Sequence, residues 1–373
     1  MGRATYCGIV KYITPYNIYP MPEIRVALAG VGNCASALVQ GVQYYSTTKD
    51  RTGLAHPVLG GYGVEDIKFV AAFDVSEKKV GKDLGEAIYA PPNNTIRLFD
   101  KLRLGISVRR GPTLDGLGRY PRQIIKESAE SPTDIVDELK QAHADVLINY
   151  VPVGSSQAAQ TYAQAALEAG IGFINAMPVF IASDPKWAKR FEEKGLPVAG
   201  DDIMSQIGAT VLHKTLVKLM ADRGVKVDET YQLNVGGDMD FMNMLEEERL
   251  KDKRESKTSA VRAMTKYSVP TRIGPSDYIP FLENKKICYI WAKGRYFGGT
   301  PVTVELKLDV TDAPDSGGSM VDIIRAVKIG LDRKIAGPLV SASAYTFKHP
   351  PIQMPYEEAE KRMLDFADGK LPR

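Results

Sequence analysis

The stretch IRVALAGVGNCASALVQG at residues 24–41 constrains this chain more than any other, because it joins an apolar run to an amphipathic helix through a turn with almost no side-chain bulk. Ile24, Val26 and Leu28 alternate with Arg25, Ala27 and Ala29 as in a strand. Gly30, Gly32 and Ala35 then fall where a G-x-G-x-x-G/A turn needs small residues. Beyond the turn, Ala35, Leu38, Val39 and Val42 recur at helical spacing. Gly30 can take the tight turn, and Gly32 has no Cβ to block a pyrophosphate approaching the helix N-terminus, where free N–H groups and the dipole favour an anion. A second apolar strand, 67–73, ends at Asp74, whose carboxylate could accept a hydrogen bond from a ribose 2′-hydroxyl. Asp74 follows Gly30 at more than twice the usual interval of about 20 residues. The excess is the polar, glycine-rich stretch 44–63, which reads as a surface insertion. Strand, turn, helix and acid together favour a dinucleotide-binding unit over a merely structural glycine turn.

At 373 residues the chain exceeds one ordinary core, so two domains are expected. Charged residues make up 25% and the net charge is only +3, which offers no basic stripe for nucleic acid and no acidic tail. No apolar run approaches the roughly 20 residues that span a bilayer. Residues 1–22, with Pro15, Pro20 and Pro22, lack the pattern of a signal peptide and read as an extension without chemistry, so a cytoplasmic protein is expected. Cys7, Cys34 and Cys288 are too scattered for a disulfide framework or a C-x-x-C site, and His56, His143, His213 and His349 form no H-E-x-x-H, so no protein-encoded zinc site is expected.

Residues 85–122 are rich in Pro, Gly and Arg without clear periodicity and read as a long excursion from a sheet. Regularity returns with Thr133 as a helix N-cap and a strand over 146–150. The segment from Asn149 to Ser156 follows at the carboxyl end of that strand, where open α/β sheets bind ligands. Helix 156–168, strand 171–175, helix 184–194 and strand 197–200 then alternate, which argues for a doubly wound parallel sheet. Next come Gly200, Asp201 and Asp202 at a strand end, and Ser205, Gly208 and Thr210 before a helix. This loop reads equally as a second anion site or as a capped turn. Beyond Val225 the pattern changes to strands over 229–235, 286–291 and 301–310. In the charged run 245–259, Lys253 and Lys257 are i and i+4 and share a helix face; two like charges there are costly unless an anion sits between them, although such runs are usually solvated faces. An amphipathic helix over 316–337 returns apolar residues to a core, and the tail carries Lys348 in SASAYTFKHPP.

Several separated segments, GVGNCASALVQG, AAFDVS, GDDIMSQIGAT, NVGGDMDFMN, KRESKTS, the strand of Lys286 and AYTFKHPP, together resemble the myo-inositol-1-phosphate synthase family in its short bacterial and archaeal form. The match runs in consistent order from about Ile24 to the C-terminus. It implies a Rossmann-like NAD-binding domain over 23–210 and 312–373, with an inserted α+β catalytic and oligomerisation domain over 211–311. It also implies conversion of D-glucose 6-phosphate to 1L-myo-inositol 1-phosphate by oxidation at C5 with NAD, enolisation at C6, attack on the C1 aldehyde and reduction of the ring ketone, with no net redox. By resemblance, Lys253, Lys257, Lys286 and Lys348 match the active-site lysines, Asp202 and Asp240 the carboxylates, and Asn234 and Asn243 asparagines near the substrate. Lys257 and Lys286 are expected to hold the phosphate, and Lys253 and Lys348 to handle proton transfer and oxyanion charge. Ser205, Gln206, Gly208, Ala209 and Thr210 match the phosphate loop, in which Met204 stands where close bacterial members often carry lysine. Gly30, Gly32, Asn33, Cys34, Ala35, Asp74, Asn149, Val151, Pro152, Asn175, Pro178, Asp202 and Asp312 are the expected cofactor contacts. The family is commonly tetrameric, so a homotetramer is expected, and its members differ in using a monovalent or a divalent cation.

Two other readings compete. A plain NAD-dependent dehydrogenase of a phosphorylated sugar or aldehyde would release NADH, and a nucleotide sensor would need no set of placed lysines. Thiol catalysis is disfavoured, because Cys34 falls in the phosphate turn and Cys288 on an apolar strand, where small core residues are expected.

Overall fold

The computed structural model describes residues 23–246 and 251–373, leaving the side chains at positions 251, 253, 254, 275 and 276 outside the description. The expected extension 1–22 therefore lies outside the described residues.

The opening strand β1 (Ile24–Ala29) is almost wholly buried and leads straight into α1 (Asn33–Thr47). Around it stand β2 (Ile67–Asp74), β3 (Val108–Arg110), β4 (Val146–Asn149), β5 (Gly172–Asn175) and β6 (Pro197–Gly200). The strand order is β3, β2, β1, β4, β5, β6, completed at the far edge by β11 (Gly337–Pro338), and every pairing is parallel. The order reverses between β1 and β4, which opens a crevice at the carboxyl ends of those two strands. Apolar runs with no polar alternation, such as VLIN in β4, are what a sheet covered on both faces requires.

The covering helices follow the expected grammar. Helices α4 (Ser156–Ala169) and α5 (Pro185–Lys194) both end on left-handed glycines, Gly170 and Gly195, and α5 is capped by Asp184. Helix α3 (Ile135–Gln141) starts one residue later than expected: Asp134, not Thr133, accepts from the Asp137 amide. The carboxylate displaces the hydroxyl as cap because it is the stronger acceptor at a positive dipole end.

The stretch 44–63 is mostly exposed, as expected of a surface insertion, but it is anchored to the body of the protein. α1 continues through its first turn, and Leu59 and Tyr62 are buried in the main core. Its anchor is the fully buried Arg325 of α9 (Asp312–Asp332), which donates to the carbonyls of His56, Pro57 and Tyr62 and pairs with Asp322. A guanidinium satisfied by backbone carbonyls and one carboxylate can be buried, and it fixes the loop it bonds. α9 also begins earlier than expected, at Asp312, running through Gly317 and Gly318.

After α6 (Ala209–Asp222) the chain builds a second, mixed sheet in the order β10, β9, β7, β8. Its strands are β7 (Lys226–Gly236), β8 (Thr271–Tyr278), β9 (Lys285–Arg295) and β10 (Pro301–Thr311), with α7 (Met239–Asn243) and α8 (Lys251–Arg262) between β7 and β8. β8 was not visible in the sequence, because Gly and Pro interrupt its pattern. The chain then returns through α9, α10 (Val340–Thr346) and α11 (Tyr356–Ala367) to the first sheet's core, giving a Rossmann-like doubly wound sheet with an inserted α+β segment.

Candidate active site

A cavity of about 200 Å³ lies at the carboxyl end of the parallel sheet, between α1, α7, α8, β9 and α9. Of the expected residues, Gly32, Asn33, Cys34, Ala35, Pro152, Asp202, Ser205, Asp240, Asn243, Lys257, Lys286, Asp312 and Lys348 line it. Residues separated by more than three hundred positions thus meet at one wall. Lys253 is on α8, one turn before Lys257, and its side chain lies outside the described residues.

Among the described residues, two ion pairs structure the site. Lys286 Nζ donates to Asp312 Oδ1 at 2.7 Å, and Lys348 Nζ to Asp202 Oδ1 at 2.8 Å, while Asp202 Oδ2 accepts from Ser256 Oγ at 2.6 Å. Asp202 takes a left-handed backbone with φ 62°, a conformation uncommon for a side chain other than glycine and often found at functional sites. Lys286 lines the cavity whereas Lys285 is exposed, as the strand's alternation requires. Lys257 is also buried, on the face of α8 turned toward the cavity.

Helix N-termini add to this field. α1 begins at the cavity with no side-chain cap, so its first N–H groups and positive dipole end face it, while the first amides of α9 are taken by Asn284 and only its positive dipole end adds to the field. A Cβ built on Gly32 meets nothing within 4 Å, whereas one on Gly30, where φ is 101°, would sit 2.6 Å from the Tyr150 carbonyl oxygen. Gly30 therefore serves backbone packing and Gly32 leaves an open cradle. At the end of β2, Asp74 accepts from the amides of Val31, Val75 and Ser76, with Lys79 Nζ 3.7 Å away. The open cradle, the uncapped helix and this held carboxylate fit a dinucleotide.

Other expected contacts stand behind the wall. Asn149 Nδ2 donates to Asn175 Oδ1 at 2.8 Å, and Asn175 Nδ2 to Asp201 Oδ1 at 2.7 Å, so both asparagines are fully buried in a relay beneath the strand ends. Asp201 also accepts from the Ile181, Ala182 and Ser183 amides, and burial pushes its pKa up to about 6. Val151 and Pro178 are outside the lining, with Val151 in the core that packs α4. Asn234 is buried on β7, accepting from Gln232 and donating to the Gly274 carbonyl. In the expected phosphate loop only Ser205 reaches the cavity. Gln206 turns to a second cavity, of about 370 Å³, Gly208 caps α6, Ala209 packs on Cys288, and Thr210 is buried. Met204 is buried too, its amide bonded to the Thr346 carbonyl.

Sequence reasoning missed Asp238, Met177, Met239 and Ser316, all of which line the cavity. It also missed the work of the excursion 85–122, whose Asn93 and Asn94 bond the Val31 carbonyl and the Asn33 side chain and brace the glycine turn. The clue was the paired asparagines in an otherwise aperiodic stretch. Burial, reinforced by Asp312, Asp238 and Asp240, pushes the Cys34 thiol up to about 12, which keeps it from acting as a thiolate. Among the described residues no group of three His, Cys, Asp or Glu side chains could hold a metal ion, and no helix is long and apolar enough to cross a membrane.

The parallel sheet with its switch point and glycine turn, together with the inserted segment, places the chain in the Rossmann-like α/β class. The family model described as "Myo-inositol-1-phosphate synthase" matches residues 208–313. An inositol-3-phosphate synthase of Mycobacterium tuberculosis is 52% identical over 353 residues, covering 93% of this chain and 96% of the relative. One from Mycolicibacterium smegmatis is 51% identical over 93% of this chain and 98% of the relative. The crystal structure of a myo-inositol-1-phosphate synthase-related protein from Thermotoga maritima superposes with a TM-score of 0.77 at 27% identity, covering 93% of this chain and 98% of its own. The chain belongs to the myo-inositol-1-phosphate synthase family.

Proposed function

We propose that this chain is an inositol-3-phosphate synthase that converts D-glucose 6-phosphate to 1L-myo-inositol 1-phosphate, with NAD as cofactor and no net redox. The observation that carries the reading is the convergence of Lys257, Lys286 and Lys348 with Asp202, Asp240 and Asp312 on one cavity beside an open glycine cradle. Gly32, the first N–H groups of α1 and Asp74 would hold the dinucleotide, which when bound supplies the hydride acceptor and donor. A dianionic sugar phosphate needs cations in a partly desolvated place, and Lys257 and Lys286 give them near the positive ends of α1 and α9. Lys348, steadied by Asp202, is the group we assign to moving a proton and stabilising oxygen charge at the reacting carbons, together with Lys253. Asn243, whose Nδ2 donates to the Val153 carbonyl, has a buried Oδ1 with no hydrogen-bond partner among the described residues, so it can take one from a substrate hydroxyl.

In this reading residues 211–311 form a catalytic and oligomerisation domain, and the protein works in the cytoplasm as a homotetramer. Support for assembly comes from the outward face of the second sheet, where Tyr231 and Trp291 stack at 5.3 Å and Leu233 pairs with Tyr289. Tyr231, Leu233 and Tyr289 are exposed, an apolar stripe of the kind that contacts between copies cover. Incubation with glucose 6-phosphate and catalytic NAD, followed by phosphorus NMR, tests the activity: the inositol phosphate resonance should appear in many-fold excess over NAD. A product stoichiometric with NADH would overturn it.

A further inference from the structure

Asp238 belongs to none of the roles assigned above, yet it is a buried carboxyl on the cavity wall. It caps α7, with Oδ1 accepting from the Asp240 and Phe241 amides at 3.0 and 3.1 Å. Among the described residues, its Oδ2 accepts from the Asn284 side-chain amide at 3.5 Å and from no other group. Asn284 in turn accepts from the Asp312 and Ala313 amides, so one buried asparagine ties Asp238 to the start of α9. Among the described residues, the groups around Asp238 are Asp240 on α7, Asp312 on α9, Lys286 on β9, Tyr278 on β8 and Cys34 on α1, and Lys257 of α8 lines the same cavity. Among the described side chains, Asp238, Asp240 and Asp312 thus share this cavity with Lys286, which Asp312 holds at 2.7 Å, and with Lys257.

We infer that Asp238 is a further positioning residue of this cavity: its buried carboxyl, on the same wall as Asp240, Asp312 and Lys286, gains or loses a proton with the charge around it and so sets how much of the Lys286 charge an anionic ligand meets. Like charges sharing a desolvated site relieve their repulsion by protonating one member. Burial, then the charges of Asp312 and Asp240, push Asp238 up to about 7, and Lys286 opposes them. An arriving dianion adds negative charge, so anion binding and proton uptake favour each other. With the proton gone, Asp238 and Asp312 both draw on Lys286 and the anion binds more weakly. The inference rests on the cavity being a sugar-phosphate site, but its test needs no turnover.

Sulfate is a suitable probe, because its charge is constant across the range in question. Calorimetry on the full-length protein should show the sulfate dissociation constant rising roughly three- to tenfold between about pH 6 and about pH 8, as expected if binding raises the proton affinity by about one unit. Asp238→Asn keeps an oxygen to cap α7 but cannot titrate, so its sulfate affinity should stay within about twofold over the same range while its fold is retained. Infrared difference spectra should show a protonated-carboxyl band in the native protein whose component fading near neutrality is missing in Asp238→Asn, while the Asp201 component, which fades nearer pH 6, is kept. An unchanged pH dependence in Asp238→Asn, a flat one in the native protein, or no sulfate binding at any pH would each overturn the inference. Normal proton coupling without formation of inositol phosphate would instead sink the synthase reading alone.

Discussion

Gly30 and Gly32 stand two positions apart and have different duties, which mutation can separate. Alanine at Gly30 must place a Cβ 2.6 Å from a backbone oxygen on a backbone of positive φ, so a loss of about 2 kcal/mol or more, read as a lower melting temperature, is expected. Alanine at Gly32 should leave stability within about 0.5 kcal/mol, since nothing lies within 4 Å. It should nevertheless weaken NAD at least about tenfold, because the added methyl fills the cradle. The lysines separate in the same way. Lys257→Ala or Lys286→Ala should chiefly raise KM, while Lys348→Ala should lower kcat by roughly a hundredfold or more; an effect on KM alone in all three would refute the assigned roles. Asp74 should select NAD over NADP, and Asp74→Ala, which leaves Lys79 without its carboxylate neighbour, should narrow the preference in a binding titration. Much of this was legible from residue type and spacing, since a glycine turn and an acid after a strand carry their chemistry locally. Asp238 was not, because its significance comes from Asp312 and Lys286, which only folding brings near.

At the scale of elements, strands and helices from β4 to β6 were readable because their apolar runs and glycine stops are local signals. The anchoring of 44–63 and the strand β8 were not. A buried Arg325 on a distant helix fixes the first, and pairing with β7 makes the second despite its poor propensity. The expected phosphate loop separates for a related reason: once Gly208 starts α6, helical periodicity turns Ala209 and Thr210 inward and leaves Ser205 at the cavity. On the same helix His213 is fully buried between Gln232 and Thr230, and burial lowers its pKa from 6.5 to about 4. The unfolded chain therefore binds more protons through that window, so the stability present above about pH 6.5 is lost as pH falls toward about 4, by roughly 3 kcal/mol in all. His213→Gln should flatten this part of the melting temperature's pH profile; an unaltered profile would mean that other groups control acid sensitivity.

Across the whole molecule, two sheets divide the labour. The parallel sheet supplies the crevice and the open N-terminus of α1, and the mixed sheet and its helices bring Lys257, Lys286 and Asp240 over it. If the outward stripe of Tyr231, Leu233 and Tyr289 joins copies, Leu233→Asp should reduce the species seen by sedimentation from a tetramer to a smaller one. The central claim is a redox-neutral cyclisation within one closed site, and glucose 6-phosphate labelled with deuterium at C5 tests it most directly. The inositol phosphate should keep its label at that carbon, with no build-up of NADH absorbance and with one C6 hydrogen lost to solvent. Deuterium appearing in free NADH, with absorbance rising in proportion to product, would contradict the account.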